Sequence, residues 1–162
     1  MMIKIVPLTR AFPDSWYDEP NARGAMLYSI GMDYYRACCI LQRSAAAGDS
    51  WPLPNVMLPA MHQTLELLIK AAAMRIDDTF DPRKHGHKTI GILETYADQS
   101  PVFASIVADP PNKVLLEELY KSYLLLRYGE AALTYDAEDW HKYVQIAQTL
   151  ADDLYVRFGF HA

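Results

Sequence analysis

The chain has 162 residues, 51% of them hydrophobic, which suits one domain with a sizeable core, and no charged or low-complexity run marks a second unit. Its 20 acidic and 15 basic side chains leave a formal charge of -5, so broad tracking of a nucleic-acid backbone, which needs many Lys and Arg contacts, is disfavoured. The two cysteines are adjacent, Cys38 and Cys39, and fall within one helical stretch, where a disulfide would be strained; both read as reduced thiols.

Residues 1 to about 21 carry Pro7, Pro13 and Pro20 with Trp16 and Tyr17 between them, and read as an irregular, partly docked arm. The segment has neither the apolar run nor the small-residue cleavage site of a signal peptide, and no stretch approaches the ~20 apolar residues of a membrane span. A cytoplasmic protein with no membrane partner is expected. The rest of the chain, residues 22–162, reads as one helical domain.

From about Arg23 to Ala47 the sequence is free of proline, with Leu27, Ile30, Tyr34, Ala37 and Leu41 marking one face and Gly48-Asp49 the stop. A second long helix is expected from about Val56 to Ile76, with Pro59 near its first turn. Leu65, Leu68, Ile69, Ala72 and Ile76 form its buried stripe, and Glu66 and Lys70 an (i, i+4) pair outside that stripe. Asp77 to Gly86 is turn chemistry, and a short helix with Ile90, Leu93 and Ala97 inward should follow from about Lys88 to Asp98.

Ser100-Pro101 reads as an N-cap with proline at the first helical position, opening a brief helix to about Ala108. Asp109-Pro110-Pro111 separates it from an apolar helix, about Asn112 to Arg127, with Leu115, Leu116, Leu119, Tyr123 and Leu126 inward; its composition points to a central or interface position. Asp136, with Asp139 three residues on, should cap a last helix that carries Trp140, Val144, Ala147, Leu150, Ala151 and Leu154 inward and stops near Phe158-Gly159. No strand pattern or internal repeat competes. The fold class is therefore all-α.

Lys70-Ala71 in the second helix, Gly86-His87 before the third, and Tyr123 with Leu126-Arg127-Tyr128 at the end of the apolar helix follow in an order and spacing that resemble the HEPN domain family over about residues 24 to 158. The resemblance implies an up-and-down antiparallel bundle of four to five main helices with short extra helices, forming a homodimer in a prokaryotic cytoplasm. One branch of the family comprises ribonucleases, often toxins, with an Arg-x4-6-His motif. The other accompanies small nucleotidyltransferases in pairs of the toxin-antitoxin kind and is thought to bind nucleotides or its partner.

This chain lacks the ribonuclease motif: Arg83 to His87 and Arg157 to His161 each have three intervening residues, and no His follows Arg127 until His141. A nuclease needs its phosphate-stabilising arginine and proton-handling histidine at one site. The resemblance thus favours the second branch, a non-catalytic binding or regulatory module. The alternatives are a divergent ribonuclease using Arg127 or Arg83 with a histidine supplied across a dimer, and a structural subunit contacting its complex through the proline-rich arm.

Arg83, Lys84, His85, His87 and Lys88 form the one concentrated basic patch, before a helix N-terminus that also favours anions, so a nucleotide, RNA or another phosphate-bearing ligand would fit there. The competing reading is a solvated loop whose charges Asp77, Asp78 and Asp81 neutralise. Lys70 could reach the same ligand or simply pair with Glu66 while snorkelling; Arg127 and Tyr128 could join the site or serve the helix end. His85 and His87 lack the further ligands of a metal site. His62 and His141 read as packing or surface residues, no nucleophile motif is present, and no cofactor signature appears.

Overall fold

A computed structural model describes residues 20–47, 54–127 and 136–158. Among the described residues there are four long helices, α1 (Pro20–Ala46), α2 (Pro54–Ile76), α5 (Pro110–Arg127) and α6 (Ala137–Arg157), and two short ones, α3 (Ile90–Thr95) and α4 (Pro101–Val107), with no strand. The protein is an all-α helical bundle. The proline-rich arm, save its last two residues, lies outside the described residues; Pro20 already opens α1, where its fixed φ suits a first helical turn.

The relative direction of α1 and α2 follows from residue pairs along their interface. Cys38 Sγ lies 3.7 Å from the Met57 carbonyl. Gly31 lies against Leu67 and Leu68, and Gly24 against the Ala71 carbonyl. As numbers fall on α1 they rise on α2, so the two helices are antiparallel. Tyr28 packs its ring on Phe158 at the end of α6, 6.0 Å between centroids. Nearer the start of α6, Tyr143 donates through its hydroxyl to the Leu115 carbonyl of α5 at 3.2 Å.

The central helix is α2 rather than the apolar α5. Fourteen of its 23 residues are buried, and they lie all around the helix, as expected of an element surrounded by neighbours. α5 instead buries Leu115, Leu116 and Leu119 on one side and exposes Val114 and Leu125 on the other. Its composition is apolar, but a one-sided stripe is what places a helix at the periphery.

α1 meets α2 through a face turned away from the one its large apolar residues marked, of which Leu27 and Leu41 still pack against the core. Tyr34 and Ala37 are exposed, while Gly24, Gly31 and Cys38 are buried, spaced by seven residues on one side of the helix. Large side chains would hold the backbones apart; this stripe lets α1 approach until a Cβ built on Gly31 would stand 3.3 Å from Leu67 Cβ. Cys38 and Cys39 are free thiols, and burial pushes the Cys38 thiol up to about 12.

Helix ends follow local chemistry. Ser100 Oγ accepts from the Phe103 N–H at 3.3 Å with Pro101 behind it, and Asp136 accepts from the Glu138 N–H at 2.7 Å. α5 begins at Pro110, so the two prolines open this helix instead of separating it from its predecessor. α2 starts at Pro54, which puts Pro59 in the second turn rather than the first. The helix expected over residues 88–98 is only the six-residue α3 followed by a 3-10 turn, Ala97–Gln99. No helix among the described residues is long and apolar enough to cross a membrane.

Candidate functional site

His62, Glu66 and Lys70 succeed one another at steps of four on α2, one row of the helix surface. All three are buried, at 3%, 4% and 8% exposure. The Glu66–Lys70 pair therefore forms as its spacing implies, but inside the protein, and Lys70 does not snorkel. Its ammonium donates to Glu66 Oε1 at 2.7 Å and to the Gly86 carbonyl at 2.6 Å. The other carboxylate oxygen, Oε2, lies 2.8 Å from His87 Nδ1.

These contacts tie a loop to the central helix. Gly86 has φ +54°, the one positive φ among the described residues, and that conformation turns its carbonyl back toward Lys70 while placing His87 over Glu66. Facing the carboxylate of the Lys70–Glu66 pair, His87 Nδ1 donates, and Nε2 points away from it. The side chain of His87 is 38% exposed, so this outward nitrogen has access to solvent.

His62 completes the cluster differently. Its ring lies parallel to Tyr123 of α5, with 4.3 Å between centroids and 5° between planes, and Tyr120 stands 6.0 Å away. Its Nδ1 is 3.7 Å from Glu66 Oε2, too far for a hydrogen bond, and among the described residues neither ring nitrogen has a partner at hydrogen-bond geometry. Burial pushes the imidazole down to about 4, with the nearby Glu66 charge and the His87 backbone offsetting only part of that effect.

The basic loop does not form one patch. Arg83 turns onto Asp81, with Nε 3.0 Å from Oδ1 and Nη2 3.1 Å from Oδ2. His85 stacks on Phe80 at 4.6 Å. Lys84 is exposed, and His87 turns inward. Asp77 is engaged elsewhere, accepting from Thr79 and from the Tyr96 hydroxyl at 2.7 Å, so Asp81 is the acidic residue that neutralises the loop's arginine. Arg127 ends α5, and its side chain, like the whole of Tyr128, lies outside the described residues.

Lys88 goes its own way. With Thr89 and Ile90 it lines a cleft of about 290 Å³ whose other wall is Leu116, Glu117, Tyr120 and Lys121 of α5. Two lysines and one carboxylate edge a largely apolar floor, and Tyr120 joins the cleft to the His62 cluster. Among the described residues no three His, Cys, Asp or Glu side chains are grouped so as to hold a metal ion.

Of the residues singled out in the sequence, the structure thus brings together Lys70 and His87, with Lys88 adjacent on the cleft, and sends Arg83, Lys84 and His85 elsewhere. Glu66 as the hub, His62, Tyr120, Tyr123 and Lys121 were missed. A signal existed: Glu66 and Lys70 have apolar neighbours on both sides in sequence, Leu65 and Leu67, Ile69 and Ala71, which marks a polar row inside a hydrophobic helix. Comparison of the chain with known protein families, curated proteins and solved structures found no match.

Proposed function

We propose that the protein is a non-catalytic, HEPN-like binding or regulatory module whose ligand is a nucleotide or another small phosphate-bearing molecule seated in the cleft between Lys88 and α5. The observation that carries this reading is the pairing of Lys88 and Lys121 on one cleft with Tyr120 and an apolar floor of Ile90 and Leu116. Lysines supply charge-assisted hydrogen bonds to phosphate oxygens, and an aromatic edge with an apolar floor suits a planar base. Glu117 on the same wall can accept from an amino or hydroxyl group of the ligand and opposes a long run of phosphates.

The cleft lies at the small end of ligand pockets, which favours a mononucleotide over a dinucleotide cofactor. The buried knot beneath it supports binding, because it fixes the loop that leads into Lys88. The same reading makes the module a homodimer and gives it a nucleotidyltransferase partner, both on the strength of the HEPN resemblance.

Calorimetric titration with AMP, GMP, ATP and inorganic phosphate tests it. A mononucleotide should bind, and Lys88→Ala and Lys121→Ala should each weaken it about tenfold, the worth of one charge-assisted hydrogen bond. Absence of binding, or binding indifferent to both lysines, contradicts the reading.

A further inference from the structure

One carboxylate oxygen, Glu66 Oε2, faces two imidazoles. His87 holds it at 2.8 Å, and His62 waits at 3.7 Å with both ring nitrogens buried and, among the described residues, without a partner at hydrogen-bond geometry. The two histidines are unequal in what they lose without the carboxylate. His87 sits on a loop with a side chain 38% exposed, so water can replace Glu66; His62 is 4% exposed, and water cannot stand in for the carboxylate there.

We propose that Glu66 Oε2 is an acceptor passed between His87 and His62, and that the exchange reports occupancy of the cleft beside Lys88 to the core of the bundle. The inference rests on the cleft reading above and adds its regulation. His87 and Lys88 are consecutive, so a ligand that draws Lys88 toward its phosphate also pulls on His87. When His87 leaves, a movement of under about 1 Å along α2 brings His62 Nδ1 to hydrogen-bond distance of the freed oxygen.

That movement slides the His62 ring on Tyr123, which with Tyr120 belongs to the helix forming the other cleft wall. Lys70 keeps Glu66 Oε1 throughout, so the carboxylate is never left without a partner. The titratable groups around His62 are Glu66 and Lys70 on its own helix, His87 on the loop, and Tyr120 and Tyr123 on α5. A ligand acting here needs differential contact with the two arrangements, and the Lys88–His87 segment is where that contact arises.

The test reads imidazole nitrogens by 15N NMR in the full chain. In ligand-free His87→Ala, His62 Nδ1 should gain a carboxylate hydrogen bond and the ring should protonate at least one pH unit higher than in the wild type; His87→Gln, which can still donate to Glu66, should restore the wild-type behaviour. Unchanged His62 signals in folded His87→Ala overturn the exchange. In wild-type protein, AMP should move the His87 and His62 signals together, and Lys121→Ala should shift both movements to about tenfold higher AMP. AMP binding that depends on Lys121 but leaves His62 untouched overturns the coupling and spares the cleft. No AMP binding overturns the cleft reading and the coupling with it, whatever His87→Ala shows.

Discussion

Glu66–Lys70 and Glu138–Lys142 are the same motif twice: a glutamate, a lysine four residues later, on a helix, in the favourable order, at 2.7 and 3.0 Å. The first pair has side chains 6% and 10% exposed; the second, 77% and 36%. Spacing alone therefore specifies that a pair forms and says nothing about what it does. On α6 water already solvates both charges and the contact adds little. On α2 the charges have left water, so each depends on the other and on the loop atoms that complete their hydrogen bonding.

The sharpest way to expose this difference is to remove one partner. Lys70→Met leaves the Glu66 carboxylate in the core with His87 alone, and should lower the urea-unfolding free energy by about 3–5 kcal/mol. A loss under about 1 kcal/mol would mean that the two regions do not differ.

The pH profile separates them next. His62 is held at about 4 in the fold against 6.5 for an ordinary imidazole, so between those values the unfolded chain binds the extra proton. Stability from this residue is complete above pH 6.5 and drains away as pH falls toward 4, by on the order of 3 kcal/mol in all. Replacing His62 by Phe should flatten that part of the urea-midpoint profile; an unchanged slope would place the pH dependence elsewhere.

A third variant addresses the packing that encloses the knot. Gly31→Val puts side-chain atoms where a Cβ already stands 3.3 Å from Leu67 and Leu68, and should cost about 1–3 kcal/mol by overpacking, read from thermal or urea unfolding. A neutral result would show that α1 can retreat from α2 freely. At the bottom of the scale, Lys142→Met should shift unfolding by less than about 0.5 kcal/mol, and a larger loss would give the exposed pair a weight its setting does not explain.

Much of the fold was legible because helices advertise themselves. The Ser100 and Asp136 caps, the apolar stripe of α6 and the boundaries of α2 at Ile76 and α6 near Phe158 follow from local chemistry that tertiary contacts reinforce. The contact face of α1 was only partly legible from large residues, through Leu27 and Leu41, because close helix approach is specified by what is missing from Gly24, Gly31 and Cys38. The central position of α2 was hidden by its polar row, which resembles a solvated face until the loop at Gly86 is seen to fold over it.

The candidate site was legible only in fragments. His87, Lys70 and Lys88 carry a recognisable chemistry in sequence, yet the grouping with Arg83, Lys84 and His85 followed chain proximity, and the loop separates those neighbours by turning one histidine onto Phe80 and the other onto Glu66. Lys121 and Tyr120 enter from a helix some thirty residues on. No local rule joins them; only the packing of α5 against the central helix does.

The most direct measurement is the titration of the His62 ring by NMR in the wild-type protein. A pKa near 4 is predicted, the signature of an imidazole sealed beside Glu66 and under Tyr123. Titration in the ordinary range, near 6.5, would show that water reaches this row of α2 and would contradict the buried knot on which the cleft and its regulation depend.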